Sequence, residues 1–149
     1  MYTNVIVFAC NWDGLSCIET ATNLGLSHPA SVKVVRVSCL SRIHAGLILK
    51  AFEFGAAGVM LLGCEQGKCH FGVDSEYIIN EYKKTQDILN MLGIWEGRLA
   101  LAQIPAFDGR EFARQLKKLT TEIAQIPALK HARIVSPRPA QYSEVESYL

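Results

Sequence analysis

The feature that most constrains this chain is a fourfold alternation of short, β-branched apolar runs with stretches of helical periodicity. Val5-Ile6-Val7-Phe8-Ala9 reads as a buried strand. A helix opening at Asp13 or Gly14 follows, with Leu15, Ile18, Ala21 and Leu24 about a turn apart, and Gly25 to Pro29 stop it. Val32 to Val37 is a second strand, interrupted by Lys33 and Arg36 as an edge strand would be. Ile43, Leu47, Ile48, Ala51 and Phe52 then mark a helix face, ended by Gly55 and Gly58. The third strand is Val59-Met60-Leu61-Leu62, and the longest helix runs from about Asp74 to Leu92 with Gly93 as its stop. Leu99 to Ile104 is the fourth strand, closed by Pro105. Phe112, Leu116, Leu119, Ile123 and Ile126 make an amphipathic last helix, with Arg110, Arg114, Lys117 and Lys118 off its stripe.

Helical crossovers return each strand in the same direction, so this order predicts an α/β fold with a four-stranded parallel sheet covered by helices on both faces. The two most apolar runs, 5–9 and 59–62, belong in the centre, because strands covered on both faces lose their polar alternation. The expected strand order is 2-1-3-4, flavodoxin-like. One α/β domain is expected over residues 1–126, which suits a chain of 149 residues. Residues 127–149 carry Pro127, Pro137 and Pro139 and a polar ending, and are expected to be an extended tail.

Composition removes several function classes. With Lys+Arg 15 against Asp+Glu 14 the formal net charge is +1, which argues against a nucleic-acid binder. No apolar run approaches the roughly 18–20 residues of a membrane span. Met1-Tyr2-Thr3-Asn4 lacks the charged start of a secretory signal, so a cytoplasmic location is expected. Neither a GxxxxGK[ST] loop nor a GxGxxG after the first strand is present, so there is no nucleotide fingerprint.

The cysteines are the informative residues. An odd number, five, in a chain without a signal reads poorly as a disulfide framework. Cys10 follows the first strand, Cys39 the second and Cys64 the third, and Cys69 lies in the next loop. In an open parallel sheet the C-terminal strand ends form one rim, where ligands bind. Adjacent strands are about 4.8 Å apart, so four thiols are expected to reach one centre. Cys17, inside the first helix, reads as a core residue.

Several thiol chemistries are excluded by spacing. A phosphatase-like loop needs arginine six positions after its cysteine, where Cys10, Cys39 and Cys64 have Ser16, Ala45 and His70. A Cys-x-x-Cys redox pair is absent. Structural zinc usually shows two close pairs, and only Cys64-x4-Cys69 is close here. An iron–sulfur cluster on four thiolates fits at least as well as zinc, and the lack of other catalytic groups favours electron transfer. His70, beside Cys69, is an alternative ligand, whereas His44 reads as a solvated or hydrogen-bonded residue. Trp12, near Cys10, is placed either to shield a metal group from water or simply to pack.

Phe8 to Trp12, Val35 to Cys39 with Arg42 behind it, and Ala51 through Cys64 to Phe71 resemble the delta subunit of methyl-viologen-reducing hydrogenase. The resemblance spans roughly residues 4–126. It implies a [2Fe-2S] cluster on Cys10, Cys39, Cys64 and Cys69, with Trp12, Arg42 and His70 around it. It further implies a protein without catalysis of its own, carrying electrons from a hydrogenase or formate dehydrogenase to the flavin subunit of a heterodisulfide reductase. The family usually reads Cys-Asn-Trp-Cys at the first strand end, whereas this chain has Asp13 in the last position. A ligand role there would pass to Asp13 or Cys17. The departure favours an alternative, a cluster-free or zinc-stabilised scaffold module in a redox complex.

Overall fold

The computed structural model describes residues 4–127. The tail expected beyond Pro127 lies outside the described residues. Four strands, β1 (Val5–Cys10), β2 (Val32–Val37), β3 (Gly58–Cys64) and β4 (Leu99–Ile104), form one parallel sheet in the order β2-β1-β3-β4. The register pairs Val5 with Val32 and with Gly58, and Val59 with Leu99, so the strand ends come level at the rim. β1 and β3 are central and almost wholly buried, as their unbroken apolar runs require.

The helices are α1 (Asp13–Asn23), α2 (Ala45–Glu53), α3 (Ser75–Met91) and α4 (Gly109–Gln125). One face of the sheet buries Val5, Val7, Met60 and Leu62 against α1 and α4. The other buries Phe8, Leu61 and Leu99 against α2 and α3, through Ile48, Phe52, Ile78 and Leu89. Alternate residues of β1 therefore feed opposite cores, as the two-residue period of a strand dictates. None of the helices among the described residues is long and apolar enough to cross a membrane.

Three local expectations change. Ile43 lies outside α2: a single 3-10 turn, Leu40–Arg42, precedes it, and His44 caps the helix by accepting the Leu47 N–H at its Nδ1. Ile43 is nonetheless fully buried, so it continues the apolar stripe without continuing the helix. Gly58 opens β3 instead of ending α2, at a point where a side chain would strike Ile123. On α1 the buried residues are Asp13, Gly14, Cys17 and Ala21, while Leu24 is exposed beyond the helix end. The helix turns its small residues inward because α4 lies close by: a side chain at Gly109 would strike the backbone of Ala21.

Candidate metal centre

The C-terminal rim is built by three strand ends and one loop. Cys10 is the last residue of β1 and Cys64 the last of β3. Cys39 stands two residues beyond β2 and precedes the 3-10 turn. Cys69 is carried by the loop between β3 and α3. All four line one cavity, together with Trp12, His70 and others. The cavity holds about 40 Å³, room for roughly three water-sized spheres, which suits a small inorganic group better than an organic cofactor.

Within the cavity the thiols fall into two pairs. Cys10 Sγ is 3.8 Å from Cys64 Sγ, and Cys39 Sγ is 3.7 Å from Cys69 Sγ. Two thiolates on one tetrahedral metal with bonds of about 2.3 Å sit about 3.8 Å apart, so each pair matches one edge of such a site. Among the described residues, the His, Cys and carboxylate ligand atoms gathered in a set of three within 4.8 Å of one another are those of Asp13, Cys64 and His70. The close sulfur–sulfur approaches among the four thiols are these two pairs.

Backbone N–H groups reach the sulfurs. Gly14 donates to Cys10 Sγ at 3.2 Å from the first turn of α1, and Ser41 donates to Cys39 Sγ at 3.5 Å from the 3-10 turn. The two pairs differ in electrostatics. Burial first, and the adjacent Cys10 thiol second, push Cys64 up to about 12. At Cys69 burial opposes ionisation, but the Phe71 and Val73 N–H groups and the Cys39 thiol outweigh it and lower the pKa. At neutral pH the Cys64 thiol therefore favours its protonated form.

Asp13 is a buried acidic residue in the first turn of α1. Its Oδ1 lies 2.8 Å from His70 Nε2. The His70 ring stacks on Trp12 with centroids 4.6 Å apart and 13° between planes, and Phe71 meets Trp12 edge-on at 6.3 Å. Trp12 and Phe71 remain half-exposed and form an aromatic rim beside the thiols. The Asp13–His70 bond is the feature that residue spacing does not reveal, because 57 positions separate the partners.

Arg42 is not among the residues lining the cavity; it is exposed at the end of the 3-10 turn, and its N–H bonds the Cys39 carbonyl. Cys17 is not among the residues lining the cavity; it is fully buried on the inner face of α1 in the core shared with α4, with its thiol donating to the Pro105 carbonyl at 3.3 Å. His44 serves as the cap of α2.

Gly14 holds this geometry through its lack of a side chain. A Cβ there would lie 2.6 Å from the Leu62 carbonyl oxygen and 3.3 Å from Cys10 Sγ, and the first of these is backbone. Gly14→Ala is expected to push α1 off the end of β3, cost about 1–3 kcal/mol and weaken metal loading. Urea denaturation and metal analysis of the purified variant check both effects; wild-type loading with an unchanged midpoint contradicts the close approach.

The family model for the methyl-viologen-reducing hydrogenase delta subunit matches residues 5–127. The chain is 32% identical over 130 residues to an iron-sulfur subunit of the F420-non-reducing hydrogenase of Archaeoglobus profundus, covering 87% of this chain and 95% of that one. It is 34% identical over 108 residues to a vhc iron-sulfur subunit of the F420-non-reducing hydrogenase of Methanococcus voltae, covering 72% and 75%. It is also 26% identical over 122 residues to one subunit of the ferredoxin:CoB-CoM heterodisulfide reductase of Methanosarcina mazei, where 82% of this chain matches 15% of that much longer protein.

Proposed function

The chain belongs to the methyl-viologen-reducing hydrogenase delta-subunit family, and on that premise we propose that its four rim cysteines hold a [2Fe-2S] cluster for electron transfer. Cys10 and Cys64 would ligate one iron, and Cys39 and Cys69 the other. The observation that carries the reading is the division of the thiols into two pairs at 3.8 and 3.7 Å. A binuclear cluster needs two such edges, whereas a single zinc ion needs all four sulfurs equidistant. The iron–sulfur names of the relatives support the same reading.

When bound, the cluster supplies a one-electron donor and acceptor. The chain's own groups hold and insulate it. The Gly14 and Ser41 N–H groups stabilise the Cys10 and Cys39 sulfurs as anions, which raises a reduction potential. Trp12, stacked on His70 and flanked by Phe71, limits water on one side of the rim. The rim is also where another redox centre has to approach, and its exposed aromatic rings suit a packed interface. We place the chain between a hydrogenase or formate dehydrogenase and a heterodisulfide-reductase-type flavin subunit, in a cytoplasmic complex. The alternative, a cluster-free or zinc-stabilised scaffold, is favoured by Asp13 alone.

Anaerobic purification with metal analysis and a visible spectrum decides between them. The expected result is a brown protein with about two irons and two inorganic sulfides per chain, reducible by one electron. A colourless protein that takes up no iron and sulfide even on anaerobic reconstitution with both establishes the scaffold reading instead.

A further inference from the structure

We propose that Asp13, Cys64 and His70 form a second, mononuclear site for a divalent cation of borderline softness such as Zn²⁺, occupied only when the cluster is not. The Asp13 carboxylate oxygen, Cys64 Sγ and a His70 ring nitrogen lie within 4.8 Å of one another. Oxygen, sulfur and nitrogen donors in one set are the donors zinc takes, and three protein ligands plus water complete its tetrahedron. Asp13 is 8% exposed, and the ion pair it makes among the described residues is with His70, not with a lysine or arginine. A buried carboxylate beside a thiol and an imidazole, without a permanent cation, is a place where a dication is favoured.

The adjustment required is small. Donors on a tetrahedral ion with bonds of about 2.0–2.3 Å lie about 3.3–3.8 Å apart. Asp13 and His70 open slightly from 2.8 Å, and the imidazole, whose side chain is 42% exposed, is the group free to move. On binding, one ring nitrogen of His70 ligates the ion in the neutral imidazole form while the other carries the proton, and Cys64 ligates as thiolate, its proton passing to solvent. The carboxylate, held in the first turn of α1, stays in place. The cation takes Cys64 from its partner Cys10, so a zinc-loaded chain lacks one of the four cluster thiols. Zinc loading and electron transfer thereby exclude each other.

The site shares Cys64 with the proposed cluster, and the test separates the two readings. The full chain, freed of iron and kept anaerobic, is titrated with Co²⁺ and the thiolate-to-cobalt absorption is followed, with Zn²⁺ as competitor. One equivalent is expected to bind. Asp13→Asn and His70→Ala should each weaken it by at least about tenfold, while Cys39→Ser and Cys69→Ser leave it within about twofold. His70→Ala alters a partly exposed side chain and keeps the fold testable if Asp13→Asn does not. Dependence on Cys39 and Cys69 without dependence on Asp13 and His70 overturns the proposal in favour of a four-thiolate ion. Absence of cobalt binding overturns it too, and leaves the cluster reading standing if iron and sulfide still assemble on the same chain.

Discussion

Cys64→Ser is expected to abolish stable iron loading, while Cys17→Ser leaves the stoichiometry unchanged. Cys64 ends the most buried strand of the sheet, so its Sγ is placed by a backbone that cannot shift to compensate. Serine offers a shorter, harder oxygen with a far higher pKa, and the Cys10 sulfur 3.8 Å away would be left as half of a tetrahedral edge. Cys17 supplies the contrast. It is as buried as any residue in the chain, yet its thiol points to the Pro105 carbonyl, and a serine hydroxyl can donate to the same oxygen. Iron and sulfide analysis of the two variants, prepared side by side under argon, makes the comparison. Full loading in Cys64→Ser, or equal loss in both, removes the assignment of the rim.

That contrast is legible in the sequence, and the reason is topological. A parallel sheet sends every strand's C-terminal end to one rim, so Cys10, Cys39 and Cys64 are gathered by strand order alone. The apolar continuity of Val5 to Ala9 and of Val59 to Leu62 likewise places β1 and β3 in the centre. Side-chain direction within the rim is a different matter. Pairing of Cys10 with Cys64 and of Cys39 with Cys69 depends on the turn after β2 and on how the Cys69 loop folds back, neither of which periodicity encodes. Arg42 shows the same difficulty: the 3-10 turn presents its backbone toward Cys39 and leaves the side chain in solvent.

Large apolar residues also misdirect a periodicity argument where helices pack closely. Leu15 and Leu24 look like the inner face of α1, but that face is made of Gly14, Cys17 and Ala21, whose small size admits α4 and the end of β3. The same inward turn buries Asp13 and brings it to His70. Arg98 is a charged residue that nonetheless sits in the interior. It is 3% exposed, donating to the carbonyls of Ala57 and Pro127 and so tying the starts of β3 and β4 to the end of α4. Its long side chain reaches those carbonyls only once both crossovers have closed.

Phe112→Ala is expected to cost about 3–5 kcal/mol of fold stability. Phe112 is 2% exposed in the core shared by α1, α4 and the sheet, on the stripe with Leu116, Leu119 and Ile123. The opposite face of α4 carries Arg114, Lys117 and Lys118, so the helix has little reason to persist away from the sheet. Against a total of about 5–15 kcal/mol for an ordinary domain, truncation of this ring removes a large fraction. The consequence reaches the rim, because α4 backs α1, and α1 supplies Asp13 and the Gly14 N–H. A metal held at the rim, as proposed, would stabilise only the folded chain, so a loaded variant should unfold later than the metal-free one and both earlier than wild type in the same state of loading. Urea titrations of the four species measure this: the midpoint falls while the slope, set by the surface exposed on unfolding, stays constant. An unchanged midpoint for metal-free Phe112→Ala means that α4 does not bury this face against the sheet, and the support of the rim by α1 would then need another source.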